Sequence, residues 1–339
     1  MNLLTKIDLD VIPYQKYRSQ IDMELEYILE QTEEICLRAV RRDGSMLEHV
    51  RDQTLEICIA AIEEDPYALK YVRDKTVELC LKAVRSDGQV LKYVDDQTNE
   101  ICLAAVRQKG YALRYVKEQT PEICLAAVKQ TGHALSDVKE QTERICLEAV
   151  KNTGLALTDV KEKTEKIIIA ALKQNGMVLS HVNDQTEEMC IIAVKRYAKA
   201  LRFVKKQTGR ICMLAVEKDP DVLELVHKQT KEICLRAVKK SPCSLKHVRE
   251  QTEEICEKAV MSNIKALELV HDQTMNVCWA ALMKDPEALR YIREPTEEMV
   301  FVVVQARRPP PSYSSCEETR CFCSSDEERE LFEARQEQE

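Results

Sequence analysis

Apolar and polar residues follow one motif that returns every 22 residues, without an insertion or a deletion. The motif reads Gln-Thr-x-Glu-Ile-Cys-Leu-x-Ala-Val, and a fixed short period of this kind marks a repeat architecture. Its threonine recurs at Thr32, Thr54, Thr76, Thr98, Thr120, Thr142, Thr164, Thr186, Thr208, Thr230, Thr252, Thr274 and Thr296. Because a repeat array grows as one stack, a length of 339 residues does not here indicate several separate domains.

The first half of each repeat reads as a short α-helix. In the first copy, Thr32 is a suitable N-cap, and two acids follow it in the first turn, where the helix dipole favours them. Five apolar residues come next: Ile35, Cys36, Leu37, Ala39 and Val40. Positions i, i+1, i+4 and i+5 of such a run form one helical face. The segment therefore predicts a helix of about 10 residues, closed by cations at its C-terminal end.

The second half of each repeat has its own helix start at Asp43. Other copies place Asp-Pro here, and Asp as N-cap with Pro at the first helical position is a strong start signal. Leu47 and Val50, three residues apart, supply a buried stripe for a second helix of about 8 residues. Neither short helix is stable alone in water, so the copies must bury one another's faces.

We therefore predict an all-α fold, an α-solenoid of about 12 two-helix repeats with a disordered C-terminal tail. Residues 1–30 read as a degenerate N-terminal capping repeat and 31–304 as the solenoid, with 12 full units and a capping helix. Residues 305–339 are rich in Pro, Ser and Glu and read as a disordered tail. A leucine-rich-repeat horseshoe can have the same period, but its strand signature is missing.

The repeat is clearest from Gln119 to Leu135, where its core is Ala-Val-Lys-x-x-Gly-x-Ala-Leu. This core resembles a family of short helical repeats of unknown function. Such repeats are abundant in giant DNA viruses of amoebae, with longer-period relatives in some protists and bacteria. The resemblance covers about residues 23–304 and implies an α-helical repeat array and a viral origin. It implies no catalytic residues, because the family has none assigned to it.

Charge argues against a nucleic-acid-binding body. The net charge is −8, of which residues 305–339 carry −4 from five Arg and nine Asp or Glu. The remainder is close to neutral, whereas a nucleic-acid-binding body should be clearly basic. Two basic rows nevertheless recur with the repeat. The first basic row is Arg41, Arg85, Arg107, Lys129, Lys151, Lys173, Lys195 and Lys239. The second basic row is Arg51, Arg73, Lys117, Lys139, Lys161, Lys205, Arg249 and Arg293. Acids follow the second row directly, so we interpret these cations as a solvated, salt-bridged face.

A cysteine occupies one motif position in most repeats, and we interpret it as a small buried hydrophobe. The stripe is Cys36, Cys58, Cys80, Cys102, Cys124, Cys146, Cys190, Cys212, Cys234, Cys256 and Cys278. The Cα atoms of equivalent cysteines in adjacent repeats should lie about 8–10 Å apart, whereas a disulfide needs about 7 Å or less. Cysteines at this spacing also cannot place four ligands around one zinc ion. Ile168 at this position also indicates that volume matters. We expect no metal and no cofactor, and free thiols indicate a reducing compartment, the cytoplasm.

A glutamine precedes the capping threonine in most repeats. We interpret its amide as structural, because from this position it can bond the backbone of a neighbouring repeat. Lys75, Lys163 and Pro295 stand where the glutamine is missing.

Partner-binding candidates come from two places. Tyr71, Tyr93 and Tyr115 recur at one position beside the buried valine, and variable aromatics on a regular scaffold can form a recognition patch. They could equally cover the rim of the core. In the tail, Pro310, Pro311 and Tyr313 fit P-P-x-Y, the ligand type of WW domains, a class of protein partner.

The tail also contains two candidate phosphorylation sites. Ser324 and Ser325 each have an acid three residues further on, which resembles the site of an acidophilic kinase.

The sequence contains no G-x-x-x-x-G-K-[ST], H-E-x-x-H or G-x-S-x-G motif, so we expect no enzyme. No apolar run reaches 18 residues, so we expect no membrane span. The function we predict is a protein-interaction scaffold or adaptor in the cytoplasm, the host cytoplasm if the chain is viral. One alternative is a structural component of a virus particle. The other is a repeat-type RNA-binding protein in which each repeat reads one base.

Overall fold

The computed structural model describes residues 31–306 together with Leu25. The chain divides into two compact units, of which the first ends at Gln251 and the second begins at Thr252. Both consist of α-helices that alternate with 3-10 helices, and residues 31–306 contain no strand. The all-helical fold with helix pairs 22 residues apart is therefore confirmed. Apart from Leu25, the predicted N-terminal cap lies outside the described residues, as does the tail from residue 307 onward.

The first unit has ten helix pairs. Its α-helices are α1 (Glu33–Arg42), α2 (Leu55–Glu64), α3 (Val77–Ser86), α4 (Asn99–Gln108), α5 (Pro121–Gln130), α6 (Glu143–Asn152), α7 (Glu165–Gln174), α8 (Glu187–Arg196), α9 (Gly209–Lys218) and α10 (Lys231–Lys240). Its 3-10 helices are η1 (Gly44–His49), η2 (Pro66–Tyr71), η3 (Gly88–Tyr93), η4 (Gly110–Tyr115), η5 (Gly132–Asp137), η6 (Gly154–Asp159), η7 (Gly176–His181), η8 (Ala198–Phe203), η9 (Pro220–Leu225) and η10 (Pro242–His247).

The second unit continues the same alternation. Its described elements are α11 (Glu253–Ser262), η11 (Ile264–Leu269), α12 (Met275–Lys284), η12 (Pro286–Tyr291) and α13 (Glu297–Ala306).

The α-helices start and stop as the sequence predicts. In α4, the Thr98 hydroxyl oxygen accepts a hydrogen bond from the Ile101 backbone N–H at 3.3 Å, which satisfies one free donor of the first turn. At the other end, Lys109 is extended, with φ −147° and ψ 108°, and its N–H donates to the Ala105 carbonyl. The predicted 10-residue first helix is confirmed.

The second helix is a six-residue 3-10 helix, which is tighter and shorter than the predicted helix of about 8 residues. The Asp43 carboxylate accepts from the Ser45 N–H at 2.9 Å, so the predicted capping role is confirmed. The turns then close over three residues, with Val50 N–H donating to the Leu47 carbonyl at 3.3 Å. A 3-10 helix has three residues per turn, so Leu47 and Val50 fall directly in line.

Each repeat of the first unit contributes small and branched aliphatic side chains to a continuous core. In the repeat of α4, Ile101, Cys102, Ala105 and Val106 are at most 3% exposed, and Leu113 of η4 is fully buried. Consecutive α-helices of this unit contact one another, and so do consecutive 3-10 helices. Each copy therefore packs against its neighbours in sequence, as a stack requires.

The glutamine before most capping threonines ties together the two ends of its own repeat and also reaches the preceding repeat, as at Gln119, whose Nε2 lies 3.4 Å from the Leu113 carbonyl oxygen. Gln119 donates through Nε2 to the Asp137 carbonyl oxygen at 2.9 Å, and its Oε1 accepts from the Lys139 backbone N–H at 2.9 Å. The structural interpretation of this amide is confirmed. The same pair of bonds occurs in the first unit at Gln31, Gln53, Gln97, Gln141, Gln185, Gln207 and Gln229.

Glycine at the start of several 3-10 helices permits a close approach between repeats. A Cβ atom at Gly176 would lie 2.3 Å from the Ala193 carbonyl oxygen of α8, far inside van der Waals contact. By contrast, Gly209 on α9 has no such neighbour within 4 Å. The turn glycines therefore allow close packing between repeats, and none of them is required by a left-handed backbone conformation.

Candidate interaction surfaces

One apolar residue of the motif does not join the core. Leu37 belongs to the apolar run of α1, but it falls outside the i, i+1, i+4, i+5 face and is half-buried. Its equivalents in the first unit share this partial exposure. We call this set the aliphatic row: Leu37, Ile59, Leu81, Leu103, Leu125, Leu147, Ile169, Ile191, Met213 and Leu235. A partly exposed aliphatic residue at one position of ten successive repeats forms a regular apolar surface.

Two open depressions lie along the aliphatic row. The first, with a volume of about 720 Å³, is lined by Leu125 and Ala126 of α5 together with polar residues of α4 to α6. The second, of about 940 Å³, is lined by Leu147, Ile169 and Ala170. The small alanines beside the larger aliphatic residues leave space above the helices, so the surface is concave locally and accessible.

The second basic row is engaged in the structure. Lys139 Nζ donates to the Lys117 carbonyl oxygen at 2.9 Å, and Lys161 Nζ donates to the Lys139 carbonyl oxygen at 3.1 Å. Arg73, Lys205 and other members of the row do the same with the repeat before them. These partners are backbone carbonyls, not the neighbouring acids that the sequence suggested. This row therefore connects repeats.

The first basic row borders the aliphatic row and is less engaged. Within residues 31–306, no ion pair or hydrogen bond involves the side chains of Arg107, Lys129 or Lys173, which line the two depressions. Lys151 has only a 3.9 Å contact with Glu148 on its own helix, and both side chains are partly exposed. The cations beside the aliphatic row thus keep most of their capacity to bind an anionic group.

The two depressions are lined by more cations than acids. The cations are Arg107, Lys129, Arg144, Lys151, Lys166 and Lys173, and the acids are Glu122, Glu143 and Glu165. One of these acids is already paired, because Lys166 Nζ lies 3.0 Å from Glu143 Oε1. A locally basic apolar surface therefore exists on a chain whose net charge is −8.

The predicted tyrosine patch is half-buried at the ends of η2, η3 and η4. Among the described residues no ring contact joins Tyr71, Tyr93 and Tyr115 to one another. Instead, Tyr93 packs edge-on against Tyr67, with ring centroids 6.3 Å apart, and Lys92 Nζ lies 4.6 Å from the Tyr93 centroid. The structure therefore adds Tyr67, which the sequence reasoning missed, to this region.

Tyr67 is also tied into the scaffold. Its hydroxyl donates to Asp87 Oδ2 at 3.2 Å, and burial, together with the Asp87 charge, raises the pKa of Tyr67. A tyrosine whose hydroxyl and ring both contact the next repeat has a structural role. This arrangement agrees with the alternative that the tyrosines cover the rim of the core.

The cysteine stripe is buried, and burial raises the pKa of each of its thiols. The interpretation as small buried hydrophobes is confirmed. Cys243 on η10 is exposed. In residues 31–306 no three His, Cys, Asp or Glu side chains lie where they could share a metal ion.

The tail candidates Pro310, Pro311, Tyr313, Ser324 and Ser325 lie outside the described residues. Within the described part of the chain, no helix has the length and apolar character needed to cross a membrane.

The chain is similar to a domain of unknown function, DUF4116, whose family model matches residues 32–76, 76–120 and 210–252. The first match runs between the capping threonines Thr32 and Thr76, which are two repeats apart, so one family domain corresponds to two helix pairs here. The matched description names neither a virus nor a host. No curated protein and no solved structure matches the chain.

The aliphatic row was detectable in the sequence. Leucine or isoleucine follows eight of the eleven motif cysteines, although that position lies outside the face formed by Ile35, Cys36, Ala39 and Val40. An apolar residue that recurs outside the buried face is a signal for an exposed surface. Aromatic residues are enriched at interfaces, so residue type alone favours the tyrosines over the aliphatic row.

Proposed function

We propose that this protein is a non-enzymatic protein-interaction scaffold, which binds a polypeptide partner on the aliphatic row of its first unit. The observation that supports this proposal is the partial exposure of one aliphatic side chain in each of ten successive repeats. Contiguous exposed apolar surface on a soluble domain marks interaction sites, and its regularity fits an extended partner better than a single small ligand.

The RNA-binding alternative receives less support. The side chains of Lys117, Lys139 and Lys161 are directed to backbone carbonyls of the preceding repeat. Fewer cations are then available to follow a phosphate backbone. A base-reading surface also needs stacking or hydrogen-bonding groups, whereas the aliphatic row presents aliphatic side chains.

A viral origin and a place in the virus particle stay hypotheses that rest on the sequence resemblance. Stoichiometric amounts of the chain in purified virions would favour the particle hypothesis over a soluble adaptor.

The test of the proposed function is a quantitative pull-down in which surface variants are compared as baits. The aliphatic-row variant carries Leu125→Ser, Leu147→Ser and Ile169→Ser. Each of these residues is half-buried and not part of the core, so the fold should survive the changes; circular dichroism and a melting curve check this. Partners that bind the aliphatic row should be captured by wild type and lost from this variant.

Matched baits examine the two surfaces that the sequence suggested. The tyrosine variant carries Tyr71→Ser, Tyr93→Ser and Tyr115→Ser, and two tail baits are residues 1–304 and Tyr313→Ala. A partner identified by mass spectrometry is then purified and titrated against each variant. Loss confined to the aliphatic-row variant supports the proposal. Loss confined to both tail baits would assign binding to the WW-type motif, and loss confined to the tyrosine variant would assign it to that patch.

A further inference from the structure

The charges beside the aliphatic row specify the chemistry of its partner. We infer that the segment of the row from α4 to α7 binds an acidic polypeptide in an extended, polyproline-like conformation, with an apolar side chain at every third residue. This inference rests on the proposed function and adds to it the charge, conformation and residue spacing of the partner.

Charge complementarity is the first argument. Arg107 and Lys129 line the first depression and Lys173 lines the second. Within residues 31–306 their side chains have no ion-pair partner, whereas Lys166 is held by Glu143. Apolar contacts from the row and unpaired cations at its edge fit a ligand that carries both aliphatic and carboxylate groups.

Residue spacing is the second argument. Packed neighbouring helices are about 8–10 Å apart, so the aliphatic side chains of successive repeats should recur at about that distance. A polyproline-type segment rises about 3.1 Å per residue and has three residues per turn, so every third side chain returns to the same side after about 9.3 Å. A β-strand alternates sides at each residue, and an α-helix rises only about 5.4 Å per turn. The polyproline-like conformation therefore keeps one apolar residue over each repeat.

The experiment titrates fluorescently labelled peptides with the full-length protein and follows anisotropy. The acidic probe is Leu-Glu-Pro repeated five times. A neutral probe replaces every Glu with Gln, and a basic probe replaces every Glu with Lys. A shuffled probe keeps the composition of the acidic peptide but spaces its leucines irregularly. A 15-nucleotide oligouridine tests single-stranded RNA in the same buffer.

A matched pair of protein variants tests the cations. One variant carries Arg107→Gln, Lys129→Gln and Lys173→Gln. The control carries Lys199→Gln, Lys206→Gln and Lys228→Gln, which are exposed lysines of the same unit that do not line either depression. Both variants remove three positive charges, so any effect of net charge alone appears in both.

The expected result is that the acidic probe binds about tenfold or more tightly than the neutral and shuffled probes, as several surface ion pairs together can supply. The first variant should lose most of this preference, and the control should keep it. Equal binding of acidic and neutral probes would overturn the acidic assignment and leave the proposed function intact. If the shuffled probe binds as tightly as the acidic probe, the inferred spacing of one apolar side chain at every third residue is wrong.

Two further outcomes separate the inference from the function it rests on. If no peptide binds but a purified partner still requires the aliphatic row, the inferred partner chemistry is wrong and the scaffold function stands. If oligouridine binds more tightly than the acidic peptide, with an affinity that falls steeply with salt, both the inference and the polypeptide-binding function of this surface are wrong.

Discussion

Removal of one glutamine amide from the repeat array should lower its free energy of unfolding. Gln119 joins the start of its repeat to the end of the same repeat, because its Nε2 donates to the Asp137 carbonyl and its Oε1 accepts from the Lys139 N–H, both at 2.9 Å. Gln119→Ala leaves these two backbone groups without their partner. A protein hydrogen bond contributes about 0.5–1.5 kcal/mol net, so the loss of both should lower the free energy of unfolding by about 1–3 kcal/mol.

The chain offers the reciprocal experiment at Lys75, which occupies the same motif position. By analogy with the other repeats, a glutamine there would donate to the Tyr93 carbonyl and accept from the Asp95 N–H. The ammonium of lysine cannot accept a hydrogen bond. Its present 3.7 Å contact with the largely exposed Asp95 carboxylate is a surface ion pair that contributes little. Lys75→Gln should therefore raise the stability by about 1 kcal/mol.

Urea unfolding followed by circular dichroism measures both effects. The comparison uses midpoints and slopes, because a repeat array does not have to unfold in a two-state transition. Glu118→Ala is the control, since Glu118 is exposed and adjacent to Gln119 in the chain. A Gln119→Ala midpoint equal to that of the control would refute the bridging role. A lower urea midpoint for Lys75→Gln than for wild type would refute the claim that a glutamine at this position supplies the hydrogen-bond acceptor that lysine lacks.

Three further predictions concern packing and pH. Leu135→Ala should lower the free energy of unfolding by about 2–5 kcal/mol in the same urea assay, because the side chain is fully buried, and a loss under about 1 kcal/mol would contradict this. Gly176→Ala should lower the free energy of unfolding by about 1–3 kcal/mol, because the new methyl group clashes with the Ala193 carbonyl oxygen. Gly209→Ala should raise it by about 0.4–1 kcal/mol, because the position is open. A change of the same sign in both variants would contradict the packing argument. Burial raises the pKa of Cys256 from 9.0 to about 11. Its protonated thiol therefore contributes its full stabilisation below about pH 9, and this contribution falls as the pH rises to about 11. Between about pH 8 and about pH 10.5, the free energy of unfolding of Cys256→Ala should consequently fall less than that of wild type.

The candidate site was only partly accessible to sequence reasoning. Residue type alone points to the tyrosine patch, but the structure places the ring contact between Tyr67 and Tyr93, because residues at different positions of neighbouring 3-10 helices approach each other. The aliphatic row was present in the motif, yet its exposure depends on the angle at which each helix packs on the next. The sequence alone does not distinguish the roles of lysines such as Lys139 and Lys173. Only their neighbours distinguish a bond between repeats from an unpaired charge.

Local chemistry and periodicity were sufficient for the repeat, the caps and the core. A threonine or aspartate before an apolar run caps a helix wherever it occurs, and an uninterrupted period obliges each copy to pack like the last, so Thr98, Asp43 and the cysteine stripe could be assigned from the residues alone. The glutamine bridge joins atoms that are 18 and 20 residues apart, and the exposure of the aliphatic row depends on how each helix packs on the next. These features arise only in the folded chain, because their hydrogen bonds and contacts join parts of the chain that are far apart in the sequence.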